Sequence, residues 1–557
     1  MAAQTKGHPS KDGLDKSITV ASNPAGEVIT IDAMKEIDEE VQYAIAKHES
    51  HLNPWSKESL LLYSCLLVAF LNATSSGFDG SLMGSINAET QYKSFFHLKE
   101  TGSSTGLVFV LYNAASTIGC AFGGPIMDYF GRRRGMQSGC AFTLAGAALA
   151  AGSQNLPMFK ASRFLLGFGI ILQTLSAPVY VTEIIPPQWR GRLGGYYNSF
   201  YFTGSITATG VVYATSQYTT TWAWRLPLLL QVVPPILVFI GCFFIPESPR
   251  WLASRDRMDE AAKIIFKYHG GQDNEVARLE VREVAMHVKL SKPQTPGEYI
   301  RGLWDYRELF NSHSARWRTA MVTLITLASS LAGNTILTFF LPTMLAAVGV
   351  TTVRRKLLLT FASSIVSCSG AVIGSATNDW IPRRTRFVWG SFALASALAL
   401  VAGMSSQVAT AQVAGNVPSK AISGIGIMSI FLFGWIFSFV YTPNQSLYCT
   451  EVLNQEIRAK GISLHALESN LATILFTYTT SIALGDISWK YYFVWISVDF
   501  VAGILWFFFG VETCNRTIEE LDSCFEAKFP PKASRKRTKI VKDENDELAV
   551  KVEGAKV

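Results

Sequence analysis

Charged residues are scarce in this chain. They make up 16% of its 557 residues, whereas apolar residues make up 49%, and a soluble protein of ordinary composition carries about 25% charged residues. The mean hydropathy is positive, at +0.23. Runs of about 20 residues with few charges recur along the chain, and each is long enough to cross a hydrocarbon core of about 30 Å. The composition therefore excludes a soluble enzyme and predicts a membrane protein with many spans.

Several functional signatures are also missing. The eight cysteines form no Cys-x-x-Cys pair, and many lie inside apolar runs, so they predict neither a metal site nor disulfides. The glycine-rich stretch from Gly119 to Gly124 lacks the Lys-Ser/Thr of a phosphate-binding loop. The first 50 residues are polar and contain no apolar segment of a cleavable signal peptide. We expect no enzyme activity, no metal, no organic cofactor and no nucleic-acid partner.

Twelve apolar runs predict an all-α membrane protein with twelve spans in two pseudo-symmetric six-helix halves. They fall near 59–79, 105–127, 135–153, 159–181, 193–214, 224–245, 319–341, 357–378, 386–406, 422–447, 463–485 and 490–510. Pro246 and Pro249 end the sixth span, because each proline lacks a donor and clashes with the preceding turn. The predicted divisions are 1–55, an N-terminal arm; 56–246, the first half; 247–317, a linker with short amphipathic helices; 318–512, the second half; and 513–557, a basic tail expected to be disordered.

Arginine and lysine follow the second, fourth, eighth and tenth spans, for example at Arg132 and Arg458. Cytoplasmic loops carry an excess of basic residues. We therefore expect these loops, the linker and both termini to be cytoplasmic, in a multi-pass protein of the plasma membrane.

The two halves repeat the same loop signatures. Asp128-Tyr-Phe-Gly-Arg132-Arg133 after the second span matches Asp379-Trp-Ile-Pro-Arg383-Arg384 after the eighth. Acidic and basic residues recur in the same order at the later loops: Glu183 with Arg190 and Glu247 with Arg250 in the first half, and Glu451 with Arg458, then Glu512, in the second. Arginine forks bind carboxylates bidentately, so the pattern predicts a cytoplasmic ion-pair latch between helix ends. The alternative is a set of unrelated positive-inside arginines.

These motifs resemble the sugar porter family of the major facilitator superfamily, over residues 60–525. The stretches Ser329–Thr335, Tyr441–Pro443 and Glu512–Leu521 look most like the fungal lactose-permease and cellodextrin-transporter branch. Ser330 and Pro382 depart from the family pattern, which usually has a glutamine and a glycine there. The resemblance implies a proton-coupled symporter that works by alternating access. It favours a disaccharide or short oligosaccharide, with a hexose left open.

Asp79 and Arg163 lie in the first and fourth apolar runs. An ionisable side chain at membrane depth is costly and is functional by default. The resemblance implies that these two residues form the proton-coupling pair, with the proton as coupling ion. Our hypothesis is that protonation of Asp79 releases Arg163 and lets the halves rock. The alternative is a helix-end aspartate in contact with water.

Sugar recognition needs amides and hydroxyls, with aromatic rings against C–H surfaces. Asn198 matches a sugar-binding glutamine position of the family, and Asn334 follows Gly333 in the seventh span; these two are the strongest candidates. The weaker amide and hydroxyl candidates are Gln173, Asn444, Ser469 and Asn470, and Tyr441 is a candidate stacking face. For each of the first four, a hydrogen bond between helices is an equally good interpretation, and for Tyr441 the alternative is packing. We expect a monomer in contact with membrane lipid and a small-molecule sugar.

Three ionisable residues receive no firm role. His465 and Glu468 share one face of the eleventh span because they are three apart, which fits a proton relay or a structural pair. Asp499 lies in the twelfth span. Two alternative functions also stay open: an uncoupled facilitator, in which Asp79 does not titrate, and a sugar sensor that signals through its tails. The short C-terminal tail favours a transporter over a sensor.

Overall fold

The computed structural model of the chain describes residues 53–98, 102–186, 189–270, 275–290, 306–378, 380–414, 419–454, 457–514, 516, 518–542 and 548–554. The predicted N-terminal arm therefore lies outside the described residues, except for its last three positions. The described residues form a bundle of twelve spans in two halves of six, joined by a helical linker. The prediction of an all-α membrane domain with the major facilitator fold is confirmed.

The first half contains nine helices. They are α1 (Lys57–Ile86), α2 (Thr90–Phe96), α3 (Ser103–Phe130), α4 (Arg132–Ala151), α5 (Leu156–Ile184), α6 (Arg190–Ser199), α7 (Tyr201–Thr215), α8 (Trp222–Leu230) and α9 (Val233–Gly241). Helix α2 is a short element between the first two spans. The fifth span consists of α6 and α7, and the sixth consists of α8 and α9. The residues at the two junctions, Phe200 and Gln231, keep right-handed helical dihedral angles.

The linker folds as three short helices against one end of the first half. They are α10 (Pro249–Ser254), α11 (Met258–Tyr268) and α12 (Glu275–Leu290), followed by a 3-10 turn at Tyr306–Leu309. Ala261 and Ile265, four residues apart on α11, pack with Leu252 of α10, as expected for an amphipathic helix. The imidazole of His269 lies between the carboxylate of Glu280 and the carbonyl of Ile184, which docks the linker onto α5. We call this end of the bundle the linker face and the other end the opposite face.

The second half and the tail complete the fold. They contain α13 (His313–Ser330), α14 (Asn334–Ala347), α15 (Val353–Ala376), α16 (Arg383–Val413), α17 (Lys420–Val440), α18 (Gln445–Val452), α19 (Arg458–Asp486), a 3-10 turn at Ser488–Tyr491, α20 (Tyr492–Phe509), α21 (Ile518–Glu526), α22 (Pro530–Ala533), β1 (Lys536–Lys542) and β2 (Leu548–Gly554). The two strands pair antiparallel, with Lys536 opposite Gly554. The prediction of a tail without secondary structure is wrong in this stretch, because both segments contain β-branched residues that favour strands.

Nine spans among the described residues are long and apolar enough to cross a membrane by composition alone. The three that complete the twelve are α4, the α6–α7 pair and α19. Each of these begins with basic residues, such as Arg132 or Arg458, which lower its average hydropathy. The basic residues mark the ends of the spans at the linker face.

Two spans of the second half are broken inside the membrane domain. The seventh span breaks between α13 and α14, where Gly333 has φ +78°, a left-handed conformation that glycine adopts without strain. The tenth span breaks between α17 and α18, around Pro443, because proline cannot continue a helix. Discontinuous membrane helices are a common device for building substrate sites in transporters.

The halves pack closely along α1 and α14. A side chain at Gly84 of α1 would place its Cβ 2.5 Å from the carbonyl oxygen of Thr338 on α14, so only glycine permits this approach. At the opposite face, the N–H of Gly102 donates to the carbonyl of Ser481, and the Ser481 hydroxyl donates back to the Gly102 carbonyl. These contacts join the first half to the second beside the cavity that lies between the halves.

Candidate transport site

A cavity of about 300 Å³ lies between the two halves. Eighteen of its 24 lining residues come from the second half and six from the first. The breaks at Gly333 and Pro443 bring the start of α14 and the end of α17 to its wall. The cavity therefore occupies the position between halves at which alternating-access transporters bind their substrates.

The lining of this cavity is polar but uncharged. Sixteen of its residues carry a hydroxyl and three carry an amide, and the described lining contains no Asp, Glu, Lys, Arg or His. Four aromatic rings, those of Tyr201, Phe202, Phe339 and Phe437, belong to the same wall. Hydroxyls and amides both donate and accept hydrogen bonds, so this lining suits a neutral ligand that carries many hydroxyl groups.

Both of the strongest candidates from the sequence line this cavity. Asn334 is the first residue of α14, directly after the break at Gly333. The Asn198 amide on α6 donates to the Thr442 carbonyl at 3.1 Å and to the Ser446 hydroxyl at 2.9 Å. Asn198 therefore belongs to the cavity wall and also joins the two halves.

Ser469, one of the weaker candidates, lines the cavity. The four others lie outside the lining, and each makes another contact. Gln173, Tyr441 and Asn444 are fully buried. Their partners are Thr143 Oγ1 for Gln173 at 2.8 Å, Ser391 Oγ for Tyr441 at 2.8 Å, the Val440 carbonyl for Asn444 at 2.8 Å and Cys120 Sγ for Asn470 at 3.4 Å. The contacts of Gln173 and Asn470 match the alternative interpretation, a hydrogen bond between membrane helices. The Asn444 bond stays within its own span, and the Tyr441 ring also stacks on that of Phe387.

A chain of hydroxyls that the sequence analysis did not single out crosses the cavity wall. Ser81 on α1 donates to Ser205 on α7 at 2.7 Å, and Ser205 donates to Ser364 on α15 at 3.1 Å. The last of these bonds joins the first half to the second. Serine is common in membrane helices, so the presence of a serine in a span does not by itself indicate a substrate site. The three serines lie on three different spans, so only the fold shows that they are neighbours.

Asp79 and Arg163 form a buried ion pair. Arg163 Nη1 lies 2.8 Å from Asp79 Oδ1, and the two side chains are 1% and 0% exposed. Asp79 is seven residues from the end of α1, about 10 Å along the helix axis. The Arg163 guanidinium also lies 4.7 Å above the ring of Tyr112. The pair is therefore held inside the first half, toward the opposite face.

Gln231 completes the group around Asp79, and sequence reasoning missed it. The Gln231 amide donates to the same Oδ1 at 2.6 Å, whereas Asp79 Oδ2 has no hydrogen-bond partner within the described part of the chain. Gln231 lies at the break between α8 and α9, and nothing in the sequence pattern fixes which way that break turns the amide. One carboxylate oxygen therefore has two donors, and the other has none among the described residues.

The linker-face charges of the first half form one network. Arg132 binds Glu183 bidentately, with Nε–Oε2 at 3.0 Å and Nη2–Oε1 at 3.1 Å, and it also binds Asp128 at 3.1 Å. Glu247 Oε1 accepts the backbone N–H groups of Arg132 and Arg133 at 3.0 and 3.1 Å. Burial raises the pKa of Glu247, and the N–H groups that it accepts oppose that rise.

The second half repeats this arrangement. Arg383 binds Glu451 at 2.9 Å, and Glu512 accepts the backbone N–H groups of Arg383 and Arg384 at 2.9 and 3.1 Å. Thr513 donates to Glu451, as Ser248 donates to Glu183 in the first half. Each of these ion pairs lies within one half. The charges therefore fix helix ends to one another inside each half.

The remaining residues predicted for the latch are placed differently. Asp379 and the side chain of Arg190 lie outside the described residues. Arg250 is the second residue of α10 and is half-buried. Arg458 donates to the carbonyl of Leu453 at 3.2 Å. In the loop that contains Asp379, the side chain of Asn378 accepts from Arg386 at 3.1 Å.

The glycine at the first loop and the proline at the second have a physical explanation. Gly131 has φ +98°, and a Cβ there would lie 2.4 Å from Glu247 Oε2. Pro382 instead has φ −54°, the value its ring prefers. The two loops therefore reach equivalent carboxylates by different backbone paths, which accounts for the departure at Pro382.

The three unassigned residues also have definite positions. His465 bonds to Thr326 Oγ1 at 2.6 Å, and Glu468 accepts from Thr323 Oγ1 at 2.9 Å, so both reach from α19 to α13. Asp499 is 1% exposed, and both of its carboxylate oxygens lack a hydrogen-bond partner in the described ranges. The first two residues therefore join helices.

The fold and the cavity between duplicated halves define a major facilitator transporter. Residues 64–525 match the model of the family described as "Sugar (and other) transporter", and the chain belongs to that family. It is a multi-pass membrane transporter and not an enzyme.

Relatives and solved structures agree with this family. The chain is 27% identical to the MFS-type transporter criB of Aspergillus cristatus, covering 84% of this chain and 94% of that one. It is 26% identical to a high-affinity glucose transporter of Kluyveromyces lactis, covering 84% and 86%. It is 25% identical to a quinate permease of Neurospora africana, covering 90% and 94%. The proton:xylose symporter XylE, bound to 6-bromo-6-deoxy-D-glucose, superposes with a TM-score of 0.66 at 20% identity, over 84% of this chain and 100% of XylE.

Proposed function

We propose that the protein is a proton-coupled symporter of a neutral sugar. The observation that carries this proposal is the buried Asp79–Arg163 pair, which lies two residues along α1 from Ser81 in the cavity wall. A titratable carboxylate on the helix that lines the substrate cavity gives a direct route from proton binding to the substrate site.

The proton acts through the balance of charge in the first half. In the ionised state, Asp79 neutralises Arg163 and holds α1 against α5. When Asp79 binds a proton, the attraction to Arg163 falls, and the buried guanidinium loses its neutralising partner. The end of α1 is then free to move relative to α14. The hydroxyl chain from Ser81 carries that movement to α7 and α15 in the cavity wall.

The substrate class follows from the lining. A cavity of about 300 Å³ is at the lower end of the range of about 300–1,000 Å³ that small-molecule sites occupy, which supports a hexose or a disaccharide over a longer oligosaccharide. A carboxylate substrate, such as the quinate that names one relative, would need a cation to pair with. The described lining offers none.

The orientation follows from the charges. Arg132, Arg383 and their neighbours lie at the linker face, and basic loops are retained on the cytoplasmic side. We therefore assign the linker face and both termini to the cytoplasm. Location in the plasma membrane and a monomeric state stay predictions from the sequence. The branch that transports lactose or cellodextrins stays a prediction from sequence resemblance.

An uncoupled facilitator is the second candidate. Arg163 and Gln231 both donate to Asp79, and donors of this kind stabilise the ionised carboxylate. If Asp79 stays ionised throughout the transport cycle, transport is uncoupled. The same pair then has a structural role only.

The test is uptake of radiolabelled glucose, lactose, cellobiose and quinate in cells that lack their own carriers. Each substrate is measured with and without a protonophore, for the wild type and for Asp79→Asn. We expect uptake of a neutral sugar that collapses with the protonophore and in the variant. Sugar uptake that is indifferent to both establishes the facilitator. Uptake of quinate alone contradicts the neutral-substrate proposal. No uptake from a chain that reaches the cell surface favours a sensor.

A further inference from the structure

An apolar groove of about 390 Å³ opens at the linker face, away from the transport cavity. Its walls are Met321 and Leu324 of α13 and Leu505 and Phe509 of α20. Phe509 is 43% exposed and Leu505 is 36% exposed. The groove therefore runs along the outer, lipid-facing surface between the seventh and twelfth spans.

The end of the groove nearest the linker is not apolar. Arg316 and Trp317, in the first turns of α13, line it. The Trp317 ring lies 6.4 Å from the ring of Phe509 and 5.8 Å from that of Phe529. Tryptophan is enriched where the hydrocarbon core meets the headgroups. The groove therefore joins the hydrocarbon depth of the membrane to its headgroup region.

Arg316 supplies a positive charge at that junction. Its side chain is exposed, and its Nε donates to the Phe310 carbonyl at 2.8 Å. No carboxylate pairs with Arg316 among the ion pairs of the described residues. The neighbouring Arg318 differs, because it is 3% exposed and binds Asp522. The guanidinium of Arg316 is therefore placed to bind an anion from outside the chain.

The surroundings add to this positive charge. Residues 526–535, the segment that contains Phe529, add further charge. Their exposed cations are Lys528, Lys532 and Arg535. One exposed carboxylate, that of Glu526, lies in the same segment, and Asp522 is already paired. Phe529 touches Trp317, which brings the segment to the headgroup end of the groove. Among the described side chains of this segment, exposed cations therefore outnumber exposed carboxylates.

We propose that this groove binds one anionic phospholipid, with an acyl chain along Leu324 and Leu505 and the phosphate on Arg316. The ligand must be amphiphilic, because the site joins an apolar channel to a cationic rim. A guanidinium binds phosphate oxygens bidentately. An anionic headgroup has no cation of its own that would compete with Arg316 for the phosphate, whereas a zwitterionic headgroup has one. With the orientation proposed above, the lipid comes from the cytoplasmic leaflet, which carries the anionic lipids.

The test uses the purified full chain and native mass spectrometry. The protein is titrated with phosphatidylglycerol and, separately, with phosphatidylcholine of the same acyl chains. The charge variant is Arg316→Gln, and the groove variant is Ala320→Phe, which adds a ring to the groove wall and keeps the charge. The matched control is Arg355→Gln, which removes an exposed arginine at the opposite face. Glycerol phosphate serves as a headgroup without acyl chains.

We expect one phosphatidylglycerol to bind more tightly than phosphatidylcholine. Arg316→Gln should weaken phosphatidylglycerol about tenfold, the scale of a lost charge-assisted hydrogen bond, and should remove the preference between the two lipids. Ala320→Phe should weaken both lipids, and Arg355→Gln should change neither. If Arg316→Gln does not fold, Ala320→Phe still tests the groove.

Three results would overturn the proposal. Equal binding of the two lipids by the wild type would show that the charge has no role. An effect of Arg355→Gln as large as that of Arg316→Gln would indicate general attraction by surface charge. Competition by glycerol phosphate as strong as that by phosphatidylglycerol would mean that the site recognises phosphate alone.

Discussion

Arg132→Ala tests how the linker-face charges act on transport. The substitution removes the bidentate pair with Glu183 and the bond to Asp128. Arg132 is 15% exposed and Glu183 is 12% exposed, so the pair is largely desolvated. Breaking a buried pair by removing one partner costs about 3–5 kcal/mol, and the residual exposure places this pair at about 3 kcal/mol, or roughly a hundredfold in an equilibrium constant.

The expected consequence is a shift in conformation. Glu183 is the penultimate residue of α5, and the next helix, α6, contains Asn198 and Ser199. Ser199 bonds to Ser375 of the other half at 3.0 Å. Loss of the Arg132 contact loosens the start of α6 and thereby the contacts between halves at the linker face. We expect the population open at that face to rise, with little change in intrinsic substrate affinity.

The assay is the rate at which a maleimide labels a cysteine introduced at Ser375, which is 7% exposed. Every protein compared carries this cysteine, so the loss of the Ser199 bond is common to all of them. The matched control is Arg134→Ala, two positions along α4, where the arginine is exposed. We expect faster labelling only with Arg132→Ala. Labelling equal to that of the control would refute the reasoning. Equal loss of substrate binding and transport, without faster labelling, would show that the contact maintains the fold alone.

Three further predictions concern stability, read as the Tm of the purified protein. Burial raises the pKa of Glu89 to about 7, so the free energy of unfolding is highest at low pH and falls as the pH rises through about 7. Glu89→Gln should remove this fall in the free energy of unfolding, which is on the order of 2 kcal/mol between about pH 5 and pH 8. An unchanged pH profile would contradict this. Gly131→Ala should cost about 1–3 kcal/mol through its positive φ and the clash with Glu247, whereas Pro382→Gly should cost less than about 1 kcal/mol; equal costs would refute the explanation of the two loops. Asp499→Leu should raise stability by roughly 1–3 kcal/mol, because it removes a buried carboxyl without a partner, and a lower Tm would show that Asp499 has a favourable contact.

The sequence predicts the topology well because each span must satisfy its own backbone in lipid. Over whole helices, length and hydropathy identify nine of the twelve spans in the described part of the chain, because basic first turns lower the average hydropathy of the other three. They are not sufficient to locate the breaks at Phe200 and Gln231, because a break with helical dihedral angles on both sides leaves the apolar pattern unchanged. The strands of the tail were missed because its many lysines dominate the composition.

The candidate site is only partly readable from sequence. The loop repeats place Arg132 near Glu183 and Arg383 near Glu451, since matched charges at helix ends leave few geometries. The positions of polar residues inside the spans are harder to predict, because lipid and protein interior are both apolar, and the sequence therefore shows no periodicity that marks the buried face. Asn198 reaches the cavity, and Gln173 reaches α4 instead.

We propose that sugar and proton cross the membrane together, with Asp79 as the residue that binds the proton. The direct test is proton flux into liposomes that contain the purified protein and a pH-sensitive dye, measured on addition of the transported sugar without any imposed pH gradient. We predict sugar-induced acidification of the lumen by the wild type, and none by Asp79→Asn, although the variant still exchanges labelled for unlabelled sugar. Sugar uptake by the wild type without proton movement, or proton movement that persists in Asp79→Asn, would contradict the account.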